Sequence, residues 1–259
     1  MGVDLQALAR TVRDHPGVAA KAEIGLVSEV FPGTDWLAGP GDVIRRVLEG
    51  MRWASGLYQV PVVGGHLTVT EGPPGLSAFG LGRADFPLSA LAAASGQSLM
   101  LGCCLDGQMR PDFPFFPSFD ERGAKLAGDV RLLAEGAESG WVTAAKDVSM
   151  AGLVGSLAML LECNRLGVLL DLDALPVPAG VTVERWVTCF PCLSFLMCVP
   201  PGREEDCLRA FGLRGLAVAA VGTLDDTGLL RLSSAGQTET VFDLSLESVT
   251  NLARPADPR

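Results

Sequence analysis

Lys146, Asp147, Ser149 and Gly152 fall within seven residues of one another, in the run AAKDVSMAGLVGSLAMLLE from Ala144 to Glu162. An ammonium, a carboxylate and a hydroxyl placed just before an apolar helix are groups that bind a phosphate or a metal-bound anion. The reason is that the first turn of a helix leaves backbone N–H groups unpaired and carries a partial positive charge. Ser149 reads as the N-cap, its hydroxyl accepting from one of those N–H groups. Leu153, Leu157, Leu160 and Leu161 recur at i, i+4, i+7 and i+8, the spacing of one buried helical face. Gly152, Gly155 and Ser156 form a second face of small residues. Each glycine inside a helix costs roughly 1 kcal/mol against alanine, so the pattern calls for close approach by a neighbour. Either a bound anion or tight packing of the helix on a sheet answers that call.

The elements that must position these residues alternate between helix and strand. Leu5, Leu8, Ala9 and Val12 predict a helix over residues 3 to 13, and a second follows from about Ala20 to Val30. A Gly- and Pro-rich stretch ends at Asp42, and a helix resumes over Val43 to Tyr58. VPVVGG reads as a short strand running into Gly64, Gly65 and His66, with further strands at Leu67 to Val69 and Leu76 to Gly82. The composition shifts near Ala84, which divides the chain into a first domain over 1–84 and a second over 85–254. The second starts with the strand Ser98 to Cys104. Its helices are expected at Gly123 to Glu138, Val183 to Val187 and Glu204 to Phe211. Further strands are expected at Val168 to Leu172, Leu193 to Val199 and Leu216 to Val221, the last closed by Gly222. A hairpin turns at Ala235-Gly236. Met109 to Arg122 is a proline- and phenylalanine-rich loop, either a lid over a site or a rigid surface loop anchored by its rings. The fold class is therefore α+β, a mixed α/β chain.

The 259 residues suffice for a full core, nearly half are apolar, and the formal charge is −10. That balance excludes a nucleic-acid partner, which needs a basic face, and permits a divalent cation bridging to a phosphorylated ligand. Charged residues in the first helix exclude a signal peptide, and no apolar run spans a bilayer, so a cytoplasmic protein with no membrane partner is expected. Seven cysteines fit free thiols in a reducing compartment. Cys189-Phe-Pro-Cys192 has the spacing of a redox or zinc half-site. No second pair or histidine cluster completes it, so it reads as buried strand, as does Cys103-Cys104.

No GxxxxGK[ST], GxGxxG or GxSxG pattern occurs. The order of the remaining motifs is informative: VPVVGGHLTV, FGLGRA, AAKDVSMAGLVGSLAMLLE, DLDALPVPAGVTVERWVTCFPCLSFLM and a late AAVG. This series resembles the aminoimidazole ribonucleotide (AIR) synthase-related proteins of the PurM-like superfamily. That superfamily includes thiamine-monophosphate kinase, selenophosphate synthetase and a carbamoyl-dehydrating hydrogenase maturation protein. The resemblance implies a two-domain PurM-like fold and a homodimer formed through the first domain. It also implies ATP and Mg²⁺ bound between the domains, with phosphoryl transfer to, or phosphate activation of, a small-molecule substrate.

Carried onto this sequence, the resemblance implies that Asp147 and Lys146 are catalytic and that Asp42 and Asp147 hold Mg²⁺. Gly64, Gly65, His66, Ser149 and Gly152 would line the nucleotide. Asp147 and Ser149 match an Asp-x-Ser-Asp-Gly segment of kinase relatives, with Met150 in place of the second aspartate. Gly39-Pro40-Gly41-Asp42 runs directly into Val43-Ile44-Arg45-Arg46, where relatives continue with a strand and further carboxylates. The first domain is thus shortened. That departure motivates the rival expectation of a binding or interaction protein that keeps the scaffold without catalysis.

Overall fold

A computed structural model describes residues 3–14, 40–67, 80 and 82–251; the side chains of 40–43 lie outside that description. The described residues form two compact units. The larger comprises 3–14, 84–122 and 129–251, and the smaller comprises 40–67, 80, 82–83 and 123–128.

In the smaller unit a long helix, Pro40–Tyr58, is followed by irregular chain to Leu67. The strand expected at VPVVGG does not form. Val60, Val62 and Val63 are exposed, and a strand needs a partner for its backbone groups, which none of the described residues provides. The helix expected over Ala20–Val30 and the strands expected over Leu67–Val69 and Leu76–Gly82 fall largely outside the described residues.

The larger unit begins with helix α1 (Leu5–Arg13), so the Pro40–Tyr58 helix is α2 in chain order. Asp4 caps α1 by accepting from the Ala7 N–H at 3.0 Å, and Leu5, Leu8, Ala9 and Val12 are all buried. The strands are β1 (Ser98–Cys103), β2 (Phe115–Phe116), β3 (Ala144–Asp147), β4 (Gly167–Asp171), β5 (Phe190–Pro191), β6 (Ser194–Val199), β7 (Ala217–Asp225), β8 (Leu229–Ser234) and β9 (Gln237–Asp243). Helices α3 (Phe119–Arg122), α4 (Leu126–Glu138), α5 (Gly152–Glu162), α6 (Val183–Thr188) and α7 (Glu204–Leu213) are set among them.

Seven of these strands form one sheet in the order β3-β6-β1-β7-β4-β8-β9. Only β4 and β8 run parallel; the other neighbours are antiparallel. Side chains alternate across the sheet, so Leu99 and Leu101 of β1 join a core with α1 and α5, while Gly102 faces the ring of Phe211 on α7. Strand β7 runs on to Asp225, past the end expected at Gly222. Its register with β1 shifts beside Gly222, and a Cβ there would lie 2.7 Å from the Leu169 carbonyl oxygen. The β8–β9 turn forms at Ala235 and Gly236, both with positive φ, as the hairpin reading requires.

The aromatic loop is anchored rather than free. Strand β2 pairs in parallel with β5, Phe115 stacks on Phe190 at 4.6 Å, and Phe116 is buried edge-on against Trp186 at 5.2 Å. Two buried carboxylates hold distant parts of the unit together. Asp129 accepts from the Arg122 guanidinium at 2.7 and 3.0 Å and from Arg214 at 2.6 Å. Glu162, at the end of α5, accepts from the Ser248 hydroxyl and the Val249 N–H at 2.8 Å each and from the Thr250 N–H at 3.0 Å.

Candidate functional site

Strand β3 is an edge strand, hydrogen-bonded to β6 with Lys146 opposite Leu196 and Asp147 opposite Phe195. Ala144 is buried at its start, whereas Lys146 is half-buried and Asp147 exposed at its end, so the two charged residues emerge where the sheet gives way to solvent. The Lys146 Nζ lies 2.5 Å from Asp147 Oδ1 and 3.1 Å from the Asp147 carbonyl oxygen. Four residues connect β3 to α5. Among these, Val148 is anchored by its N–H to the Ser194 carbonyl at 3.0 Å and Met150 is exposed.

Ser149 does not cap the helix. The N-cap position of α5 is Ala151, with no side-chain cap, and the relation is the reverse of that expected: the Ser149 N–H donates to the hydroxyl of Ser156, one turn inside the helix, at 3.0 Å. The Gly152 N–H donates to the Ser149 carbonyl at 2.8 Å, which closes a tight turn. Gly152 has φ +68°, in the left-handed region, and a Cβ there would lie 2.5 Å from the Val187 carbonyl oxygen and 2.9 Å from Thr188 Cα. The close neighbour of this glycine is therefore the end of α6. Gly152→Ala should lower stability by about 2 kcal/mol through backbone strain and overpacking, measured by urea denaturation. A variant as stable as the parent would show that the turn relaxes freely.

Lys146, Asp147, Ser149 and Gly152 are thus brought together at one corner of the larger unit. Gly64, Gly65 and His66 belong to the smaller unit, on exposed irregular chain, and nothing approaches within 4 Å of a Cβ placed on either glycine. Asp42 belongs to the first turn of α2, and its side chain lies outside the described residues. Ser156 was legible as part of the small-residue face, but its bond to Ser149 was not.

Mg²⁺ demands hard oxygen ligands and is held in proteins by one or two carboxylates together with water and phosphate. Among Lys146, Asp147, Ser149 and Gly152 the one carboxylate is that of Asp147, and one of its oxygens is already engaged by Lys146. Among the described residues no group of three or more His, Cys, Asp or Glu side chains could hold a metal. Of Asp42 and Asp147, the pair to which the resemblance assigns Mg²⁺, Asp147 alone has a described side chain, and it keeps one carboxylate oxygen for a cation.

Among the described residues the cysteines form neither a disulfide nor a metal-binding group of three or more. All seven are free thiols; Cys189 donates to the Trp186 carbonyl and Cys192 accepts from the Ser118 N–H. Cys189 and Cys192 do not share one buried strand, as the sequence reading had it. Cys189 ends α6 and Cys192 follows β5. Burial pushes the thiols of Cys189, Cys198 and Cys207 up to about 12. A thiol reagent applied to the native protein at neutral pH should label Cys163 and Cys192, which are partly exposed, well before the other five, as read by peptide mapping. Early labelling of Cys198 would contradict the packing of β6.

The larger unit is thus a mixed α/β fold, a seven-stranded sheet with a glycine-opened helix following its β3 edge. Residues 120–234 match the family model described as AIR synthase related protein, C-terminal domain. An uncharacterised protein of Synechocystis sp. is 32% identical over 211 residues, covering 81% of this chain and 66% of the relative. Phosphoribosylformylglycinamidine synthase subunit PurL of Prochlorococcus marinus is 26% identical over 219 residues, covering 75% of this chain and 27% of the relative. The solved structure of Thermotoga maritima PurL complexed with ADP superposes with a TM-score of 0.51 at 15% identity, over 66% of this chain and 28% of that one. The matched part of the chain thus spans just under two thirds of the first relative and little more than a quarter of PurL. Among the described residues no helix is long and apolar enough to cross a membrane.

Proposed function

We propose that the chain is an AIR-synthase-like, ATP-dependent enzyme that transfers a phosphoryl group to a small-molecule substrate or activates it with phosphate. The observation that carries this reading is the Lys146–Asp147 pair at the end of β3, directly before α5 and inside the stretch that matches the family. The ADP complex of the structurally similar PurL supports an adenine nucleotide as the ligand. In this reading Lys146 neutralises charge on the phosphates, the largest electrostatic demand of phosphoryl transfer, and Asp147 holds the lysine at the strand end. A small-molecule substrate and a homodimeric assembly complete the proposal.

The rival reading, a binding protein that keeps the scaffold without catalysis, is favoured by Met150, which offers no carboxylate beside Asp147. Calorimetric titration of the full chain with ATP, followed by an assay for ADP release with candidate small substrates, separates the two. ATP binding with turnover supports the enzyme, and binding without turnover on any substrate supports the rival. No ATP binding with or without Mg²⁺ overturns the nucleotide reading.

A further inference from the structure

Resting on the reading of the β3–α5 corner as a nucleotide-phosphate site, we infer that Lys146 supplies there the positive charge that a divalent cation would otherwise bring, so that this corner takes up metal-free ATP. An ammonium has three N–H donors. Two are committed, one to Asp147 Oδ1 at 2.5 Å and one to the Asp147 carbonyl at 3.1 Å, which leaves the third for an incoming oxygen. The lysine side chain is 29% exposed, so that donor is reachable, while its stem is held by the strand.

The corner also offers a hard cation few ligands of its own. The thioether of Met150 is no ligand for Mg²⁺, and the formal charge of Lys146 and Asp147 together is zero. Mg²⁺ arriving alone would meet one oxygen of Asp147 beside the charge of the lysine and find its other ligands in water. A phosphate oxygen meets an ammonium already in place, in a charge-assisted hydrogen bond. Asp147 is a positioning residue in this scheme: an exposed ion pair is weak, so it aims Lys146 without tying it down.

The test is calorimetric titration of the full chain with ATP in EDTA and, separately, in Mg²⁺, on the parent, Lys146→Met, Lys146→Arg and Asp147→Asn, with thermal melting as the check on folding. The expected result is binding in EDTA at least as tight as in Mg²⁺, because Mg²⁺ neutralises phosphates that Lys146 would otherwise meet. Lys146→Met should weaken it by roughly tenfold or more, Lys146→Arg should keep most of it, and Asp147→Asn should cost a smaller factor. All four proteins should melt alike. Binding seen only with Mg²⁺ overturns the inference and leaves the nucleotide reading standing, as does binding in EDTA that Lys146→Met leaves undiminished. No binding under either condition overturns both.

Discussion

Glu162→Ala should lower the unfolding free energy by about 4 kcal/mol and release the chain from Ser248 to Asn251. The Glu162 side chain is buried, with 1% of the residue exposed, and is the shared acceptor for Ser248, Val249 and Thr250, which lie 86 to 88 residues away. The Thr250 hydroxyl donates to it as well. Removing the carboxylate strands two backbone N–H groups and two hydroxyls in a place that water reaches poorly, and each orphaned donor costs about 1–3 kcal/mol. Urea denaturation measures the loss, and hydrogen exchange at Val249 and Thr250 localises it. Glu162→Gln keeps an acceptor and should lose about half as much. Slow exchange at both amides in Glu162→Ala would mean that the segment is held by its apolar contacts instead.

Asp129→Ala should cost about 3–5 kcal/mol, for a different reason. Asp129 is fully buried and Arg122 nearly so, at 0% and 4% side-chain exposure, and the carboxylate also holds Arg214. Deleting it leaves the Arg122 guanidinium buried with, among the described residues, only the Arg214 carbonyl to accept from it. The cost comes mostly from that uncompensated charge rather than from the ion pair itself, since a desolvated pair is often no better than packed hydrocarbon. The double variant Arg122→Met with Asp129→Leu should therefore recover a large part of the stability lost by Asp129→Ala. A double variant as damaged as the single one would show that the pair contributes net stability. Thermal denaturation of the three proteins decides between these outcomes.

Much of the larger unit could be read from local pattern. The buried face of α1, the apolar face of α5, the strands near Ser98, Ser194 and Ala217 and the turn at Ala235-Gly236 all announce themselves through spacing and turn chemistry. What escaped the sequence reading was non-local. The expectation of a Ser149 cap rested on residue type, whereas the actual start of α5 is fixed by α6 pressing on Gly152 and by a hydroxyl from inside the helix. The two-residue pairing of β2 with β5 joins segments about 75 residues apart and is too short to leave a periodic trace. Nothing local marks Asp129 or Glu162, because their partners Arg214 and Ser248–Thr250 come from remote chain. VPVVGG failed in the other direction: its composition suits a strand, but composition supplies no neighbour to pair with. At the candidate site the types and order of Lys146, Asp147 and Ser149 were legible. The bond between the first two, which decides how the corner meets a cation, was not.

The position of β3 at the margin of the sheet has a consequence for how such proteins diverge. Strands β1 and β6, which sit between β3 and β7, are buried almost throughout, so their sequences answer to packing and can drift only slowly. Residues 147 and 150 bear little of that load, since substitutions at exposed positions usually change stability by less than about 0.5 kcal/mol. Ligand preference at this corner can therefore be rewritten over few mutational steps while the scaffold stays recognisable, which makes overall similarity a better record of descent here than of present chemistry.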